Sequence, residues 1–405
     1  MGGKIYVLLA SIFVFAGWNA DMEGYSYIPD WMPMCDVLLI IAHNSPQSKA
    51  YGWRYYQQLG TLTDQWNAGM RGAKINLHWY KPIKKVTQLV LERNEPRTCK
   101  LCKKRKKWCS KKTPYIALGH EPDGTTNCYL SVLQKSGPPM SALRYLSEFA
   151  QLLADNPQEV AVLILEDYLG CKSVRNGTHN YTPEDTAHAL HELLEISGLA
   201  KYALKLDPEH YPNPDRAASV WPTVGYMRQT GKRLIIFTTD PAHALHSPVL
   251  NPCVGSPFNT TAWVFNWQMD WQARTCRMNI CSPLHRGLLV HSTPPTSIPH
   301  NSLFGKLVNW YKRRGAKPAI LGVPLEVTDY AQANSFEHIM DRIAAAEKSA
   351  NTCATLLSID FVEIGQSARA VHEINKARIA QRSEHILNSF NPAVSRPAIT
   401  AMNPK

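Results

Sequence analysis

Two histidines in this chain each follow an apolar run. Val37 to Ile41, closed by Ala42, leads into His43, and Tyr115-Ile116-Ala117-Leu118-Gly119 leads into His120. Imidazole titrates near neutrality, so two of them facing one pocket can take a proton from an attacking hydroxyl and give one to a leaving oxygen. That is chemistry suited to cleaving a phosphodiester. Either histidine alone also carries a plainer reading, as a capping or surface residue. Their matched contexts favour a pair.

Positioning such groups requires elements that end together. Strand-like apolar runs are expected at 37–41, 72–77, 115–119, 160–165, 234–237, 319–323 and 356–359. Helical spacing through Leu62, Trp66 and Met70, and over 141–156, 186–197, 221–231 and 335–350, fills the intervals. Continuous apolar strands alternating with helices imply a parallel sheet covered on both faces. The expected fold is therefore α/β, a TIM-type (β/α) barrel with room for distortion. An open doubly wound sheet is the alternative, but no GxGxxG fingerprint or P-loop supports a nucleotide-binding version. Barrels keep their chemistry at strand carboxyl ends, here Glu166-Asp167-Tyr168 and Thr238-Thr239-Asp240. Residues 74, 76 and 78 fall on one side of a strand, so Lys74, Asn76 and His78 are expected to face the barrel interior.

The 405 residues carry 44 Lys and Arg against 32 Asp and Glu, a formal charge of +12. Much of that excess is local: 81–112 holds thirteen basic residues against Glu92 and Glu95. This segment reads as a basic, cysteine-containing insertion at 81–114 that could meet an anionic membrane surface or an anionic substrate, or simply be a solvated excursion. Trp108 is the one aromatic among those charges and no nucleic-acid motif is present, so nucleic acid is not an expected partner. Lys4 followed by the apolar 5–16 has the length of a signal-peptide core, which predicts a secreted, extracellular protein with a signal at 1–20, a barrel over 21–380 and a tail at 381–405. Ten cysteines, an even number, then point to disulfides of undetermined pairing. Cys99, Cys102, Cys109 and Cys128 also have the spacing of a zinc knuckle, which an oxidising compartment disfavours. Sequons at Asn176, Asn180 and Asn259 would lie on the surface of a secreted glycoprotein.

Ala42-His43-Asn44-Ser45, the 65–72 segment QWNAGMRG, Leu118-Gly119-His120, the 146–168 segment LSEFAQLLADNPQEVAVLILEDY, Trp221-Pro222-Thr223 and Gly231 to Phe237 occur in one order along the chain. Together they resemble the X-domain superfamily of phosphatidylinositol-specific phospholipase C, the PLC-like phosphodiesterases built on a TIM-type barrel. The resemblance spans about residues 30 to 370. It implies that His43 acts as general base on the inositol 2-hydroxyl, which attacks phosphorus to make a cyclic phosphodiester, and that His120 protonates the diacylglycerol oxygen. It implies that Asp360 orients the first histidine. Asn44 and Glu166 fall where calcium-dependent members place ligands, and Arg71, Lys74 and Asn76 join them as expected substrate contacts.

The second strand departs from that pattern, because Lys74 and Asn76 stand where acidic residues are usual. A calcium site made from Asn44 and Glu166 alone would be weak, so no metal or cofactor is expected. An inward Lys74 could supply positive charge to the phosphorane oxygens instead, or it could simply pair with Glu166. The sequence thus points to a metal-independent phosphodiesterase of the phospholipase C type acting on a phospholipid or another phosphodiester. The alternatives are a degenerate barrel that binds phosphoinositide or another anionic ligand, and a metal-dependent glycerophosphodiesterase-like enzyme.

Overall fold

The computed structural model describes residues 27–53, 56–80, 115–119, 140–167, 169, 183–206, 221–252, 264–270, 275–278, 287–292, 327–350 and 353–390. The strands are β1 (Leu39–Ala42), β2 (Gly72–Tyr80), β3 (Tyr115–Leu118), β4 (Ala161–Asp167), β5 (Leu234–Thr238), β6 (Leu250–Pro252), β7 (Val264–Asp270), β8 (Thr275–Met278), β9 (Gly287–Ser292) and β10 (Ala354–Ile359). The helices are α1 (Leu62–Asn67), α2 (Ala142–Asp155), α3 (Pro183–Ser197), α4 (Val224–Thr230), α5 (Pro241–His246), α6 (Val327–Ala333), α7 (Phe336–Ala350) and α8 (Ser367–Phe390).

Local chemistry explains several of these boundaries. Thr61 and Asp64 form a reciprocal capping box at the start of α1. Asp240 caps α5, whose first residue is Pro241. Gly231 ends α4 in the left-handed conformation that a side chain would resist. In α2 the buried residues Ala142, Tyr145, Leu146, Phe149, Leu152 and Leu153 recur at helical spacing and form the stripe that covers the sheet.

Every residue of β1, β5 and β10 is buried, as strands with both faces covered must be. The parallel ladders run β6-β5-β4-β2-β1-β10-β9-β7. Taken in chain order, these strands succeed one another around a ring in which the first lies beside the last, the strand order of a (β/α) barrel. Among the described residues no ladder joins β6 to β7, and the described strands form a distorted barrel. Gly72 permits the tight approach of β1, β2 and β4, since a Cβ there would lie 2.2 Å from Ile41 Cδ1 and 2.6 Å from the Val162 carbonyl oxygen.

One expectation needs correction. The 115–119 run was read into a parallel sheet, but β3 pairs antiparallel with the outer half of β2, Tyr80 opposite Tyr115 and Leu77 opposite Leu118. An apolar run has no direction of its own, and the matched strand ends of His43 and His120 are not two parallel strand termini. The 81–114 insertion therefore leaves and re-enters the fold at one pair of residues. Strands β7 and β8 are interrupted by polar residues such as Asn266, Gln268 and Arg277, and β9 has only the short apolar run Leu288-Leu289-Val290, so none of the three was expected. Helix α8 runs across the expected bound at 380/381 and continues to Phe390. The signal segment, the insertion with its three cysteines, Cys128, the three sequons, the 319–323 run and His120 lie outside the described residues.

Candidate active site

His43 and Asp360 are brought together by the pairing of β1 with β10. Ala42 lies opposite Ile359, so the next residue on each strand emerges at the same end of the barrel. The His43 N–H donates to the Ile359 carbonyl at 2.9 Å, and His43 Nδ1 lies 2.9 Å from Asp360 Oδ1. With Asp360 ionised, its carboxylate can only accept, so that Nδ1 carries the proton and Nε2 presents a lone pair. The Asp360 side chain is fully buried, whereas that of His43 keeps 15% exposure. Burial foremost, and the Lys74 ammonium second, push His43 down to about 3 against the opposing Glu166 carboxylate. His43 is thus neutral at ordinary pH, the state a proton acceptor needs.

Both strand ends then turn through left-handed residues, Asn44 at φ +46 and Phe361 at φ +52. Such conformations persist only where neighbours hold them. Gln58, fully buried, donates from Nε2 to the His43 carbonyl at 2.8 Å and to the Ile359 carbonyl at 3.3 Å, and its Oε1 accepts from the Val362 N–H at 3.0 Å. The Gln57 carbonyl accepts from the Phe361 N–H at 2.8 Å. Asn334 Nδ2 donates to the Asp360 and Phe361 carbonyls at 2.8 and 3.1 Å. One carboxamide therefore ties the His43 turn to the Asp360 turn. No sequence signal marked Gln57, Gln58 or Asn334, because hydrogen bonding to distant backbone leaves no trace in local composition.

On the neighbouring strand, Lys74 Nζ lies 2.6 Å from Glu166 Oε1. Asn76, directly opposite Glu166 in the β2–β4 ladder, donates from Nδ2 to Asn44 Oδ1 at 2.7 Å. Asn44 Nδ2 in turn donates to Gln57 Oε1 at 2.5 Å. His43, Asn44, Lys74, Asn76, Glu166 and Asp360 accordingly form one connected rim across β10, β1, β2 and β4. The donor set does not suit calcium. Glu166 already holds an ammonium, and the Asn44 carboxamide is engaged through both its oxygen and its nitrogen.

Arg71 lies elsewhere. It precedes β2, is 5% exposed, and its guanidinium pairs with Glu159 while donating to the Trp66 and Met70 carbonyls. It stacks 4.5 Å from the Trp66 ring. Its work is to join α1 to the start of β4, and the structure gives it no place on the rim. His78 is buried, with its ring beside Gly119, where a Cβ would come within 2.8 Å of Cδ2. The Gly119 N–H donates to the Asn76 carbonyl at 3.1 Å, which brings the chain just before His120 alongside the rim.

A second histidine–carboxylate pair went unrecognised in the sequence. His243 Nδ1 lies 2.5 Å from Asp167 Oδ2 and 3.7 Å from Asp240 Oδ2, and the first two side chains are fully buried. Burial opposes charge on His243, but the Asp167 hydrogen bond and the Asp167 and Asp240 charges outweigh it and raise its pKa. Asp167 alternates with Glu166 along β4. The pair therefore sits on the opposite face of the sheet from the rim, under α5, where it anchors that helix.

No protein-family model matches the sequence, and no curated protein matches it. Among solved structures the chain is similar to phosphatidylinositol-specific phospholipase C from Listeria monocytogenes, at 13% identity over 87% of this chain and 96% of that one with a TM-score of 0.38. It is similar to the phosphatidylinositol-specific phospholipase C of Staphylococcus aureus, at 10% identity over 87% and 98% with a TM-score of 0.43. A glycerophosphodiester phosphodiesterase from Parabacteroides distasonis matches at 10% identity over 83% and 97% with a TM-score of 0.31.

Proposed function

We propose that this protein is a metal-independent phosphodiesterase of the phospholipase C type, with His43 as its general base. The observation that carries the reading is the pairing of the part-exposed His43 with the buried Asp360, which leaves a neutral imidazole with Nε2 as its acceptor. A substrate hydroxyl gives its proton to Nε2, and its oxygen attacks phosphorus to form a cyclic phosphodiester. His120 returns a proton to the departing alkoxide, the role implied by the resemblance of its segment. Lys74, beside Glu166, supplies positive charge to the non-bridging phosphoryl oxygens as they gain charge. Asn76 Oδ1, buried and without a donor among the described residues, is an acceptor for a substrate hydroxyl. The basic insertion attaches the secreted enzyme to anionic membrane, an attraction screened within about 8 Å at physiological ionic strength, so attachment weakens as salt rises.

The 2.6 Å Lys74–Glu166 contact favours one second reading. A cation already neutralised by a carboxylate is a poorer stabiliser of developing charge, as in a barrel that binds anionic head groups without turning them over. Phosphorus NMR of the mature protein with phosphatidylinositol micelles and a chelator separates the two. A cyclic inositol phosphate signal supports the phosphodiesterase. Saturable head-group binding without product, even after calcium or magnesium is restored, establishes the binding barrel.

A further inference from the structure

The strand pair that carries His43 and Asp360 at one end carries two cysteines at the other. Cys35 lies eight residues before His43 and Cys353 seven before Asp360. Cys35 is half-buried in the short 3-10 turn Met34–Asp36, and Cys353 is exposed immediately before β10. The β1–β10 ladder begins with Leu39 opposite Leu356, four residues after Cys35 and three after Cys353. A disulfide needs roughly 4.4–6.8 Å between Cα atoms, so the two chain segments must be held side by side.

Three hydrogen bonds fix this proximity. Thr355 Oγ1, two residues past Cys353, donates to the Cys35 carbonyl itself at 2.9 Å. A single nitrogen, Arg378 Nη1 of α8, donates to the Asp36 carbonyl at 3.0 Å and to the Ala354 carbonyl at 2.9 Å. Each of those carbonyls belongs to the residue that follows one of the cysteines. The thiols also feel each other. Burial foremost, with the Asp36 carboxylate next, holds Cys35 well above its ordinary value, and Cys353 adds to the same effect.

We infer that Cys35 and Cys353 are disulfide partners, a cross-link that fastens β1 to β10 at the end opposite the His43–Asp360 pair. Both stand as thiols in the structure. The oxidant is a small-molecule disulfide of the glutathione class. The exposed Cys353 thiol loses its proton and attacks one glutathione sulfur, forming a mixed disulfide and releasing one glutathione thiol. Cys35 then loses its proton and attacks the Cys353 sulfur, releasing the second glutathione. Two protein thiols are oxidised and one glutathione disulfide is reduced to two thiols. The exposure of Cys353 makes it the first nucleophile, and Cys35, shielded by the Met34–Asp36 turn, the resolving one.

The test is peptide mapping of the full chain equilibrated with oxidised glutathione, unfolded and alkylated without reductant. The expected result is a peptide joining Cys35 to Cys353, with neither residue alkylated. In Cys353→Ser, Cys35 becomes alkylatable and the thermal midpoint falls by about 5 °C, a loss that dithiothreitol reproduces in the wild type. Alkyl label on both cysteines of the wild type, or either one joined to another cysteine, overturns the assignment. Mapping the wild type decides the matter even if the serine variant does not fold, and Cys35→Ser provides the reciprocal control.

Discussion

His43 and Asp360 are 317 residues apart in the chain yet share a hydrogen bond of 2.9 Å, because β1 and β10 lie side by side and end together. The barrel order, which places the first strand next to the last, is what makes the pair. In the proposed mechanism Asp360 holds the proton on Nδ1 and so keeps the Nε2 lone pair turned to the substrate.

Asp360→Asn removes that control, since a carboxamide can donate to Nδ1 and favour the other tautomer. The expected outcome is a fall in kcat on the order of 10³-fold with KM little changed. Nitrogen-15 NMR of the His43 ring should show the change of tautomer. An unchanged tautomer with full activity would remove Asp360 from the mechanism.

The depressed pKa of His43 has consequences for both rate and stability. Its folded value lies below the ordinary 6.5, so as pH falls below 6.5 the unfolded chain takes up this proton first. The corresponding stability is fully present above 6.5 and is lost as pH falls toward the folded value. Urea titrations of the wild type and His43→Gln should diverge between pH 7 and pH 4, with the variant showing the flatter profile. Parallel profiles would contradict a buried neutral imidazole.

Lys74→Met tests the charge on β2. Loss of the ammonium should slow turnover by about 10²-fold. It also removes one of the two effects holding His43 down, so the acid limb of the pH–rate profile should shift upward. Activity and acid limb both unaltered would mean that Lys74 serves only to neutralise Glu166.

The His243–Asp167 pair belongs to stability. His243→Leu leaves Asp167 buried without its partner and should cost about 3 kcal/mol. Because the folded pKa of His243 is raised, its contribution is complete below 6.5 and is lost as pH climbs through the folded value. The gap between wild type and variant in denaturant midpoint should therefore be widest near pH 6 and narrow in alkali. A gap that widens with pH would reverse the assignment.

Much of the barrel was legible because β1, β4, β5 and β10 are largely covered on both faces and so read as mostly apolar runs. Strand direction was not legible, and β3 shows why: its four residues would look the same in a parallel ladder or in the hairpin they form with β2. The inward set Lys74 and Asn76 followed from alternation along one strand, and their joining to Glu166 and Asn44 from the ladder that the strand enters. Arg71 misled because its neighbourhood resembled a family segment, whereas its ion pair with Glu159 depends on where α1 ends and β4 begins. Gln58, which secures the His43 and Asp360 turns, was invisible because its side chain's partners are backbone groups brought from 15 to 304 residues away.

The most direct test of the central claim is kcat/KM for phosphatidylinositol cleavage, in chelator, by His43→Ala beside the wild type. A general base contributes roughly 10²- to 10⁴-fold. The account predicts a loss on that scale, with thermal unfolding still cooperative and the cyclic product absent from the variant. Cleavage by His43→Ala at the wild-type rate would contradict it.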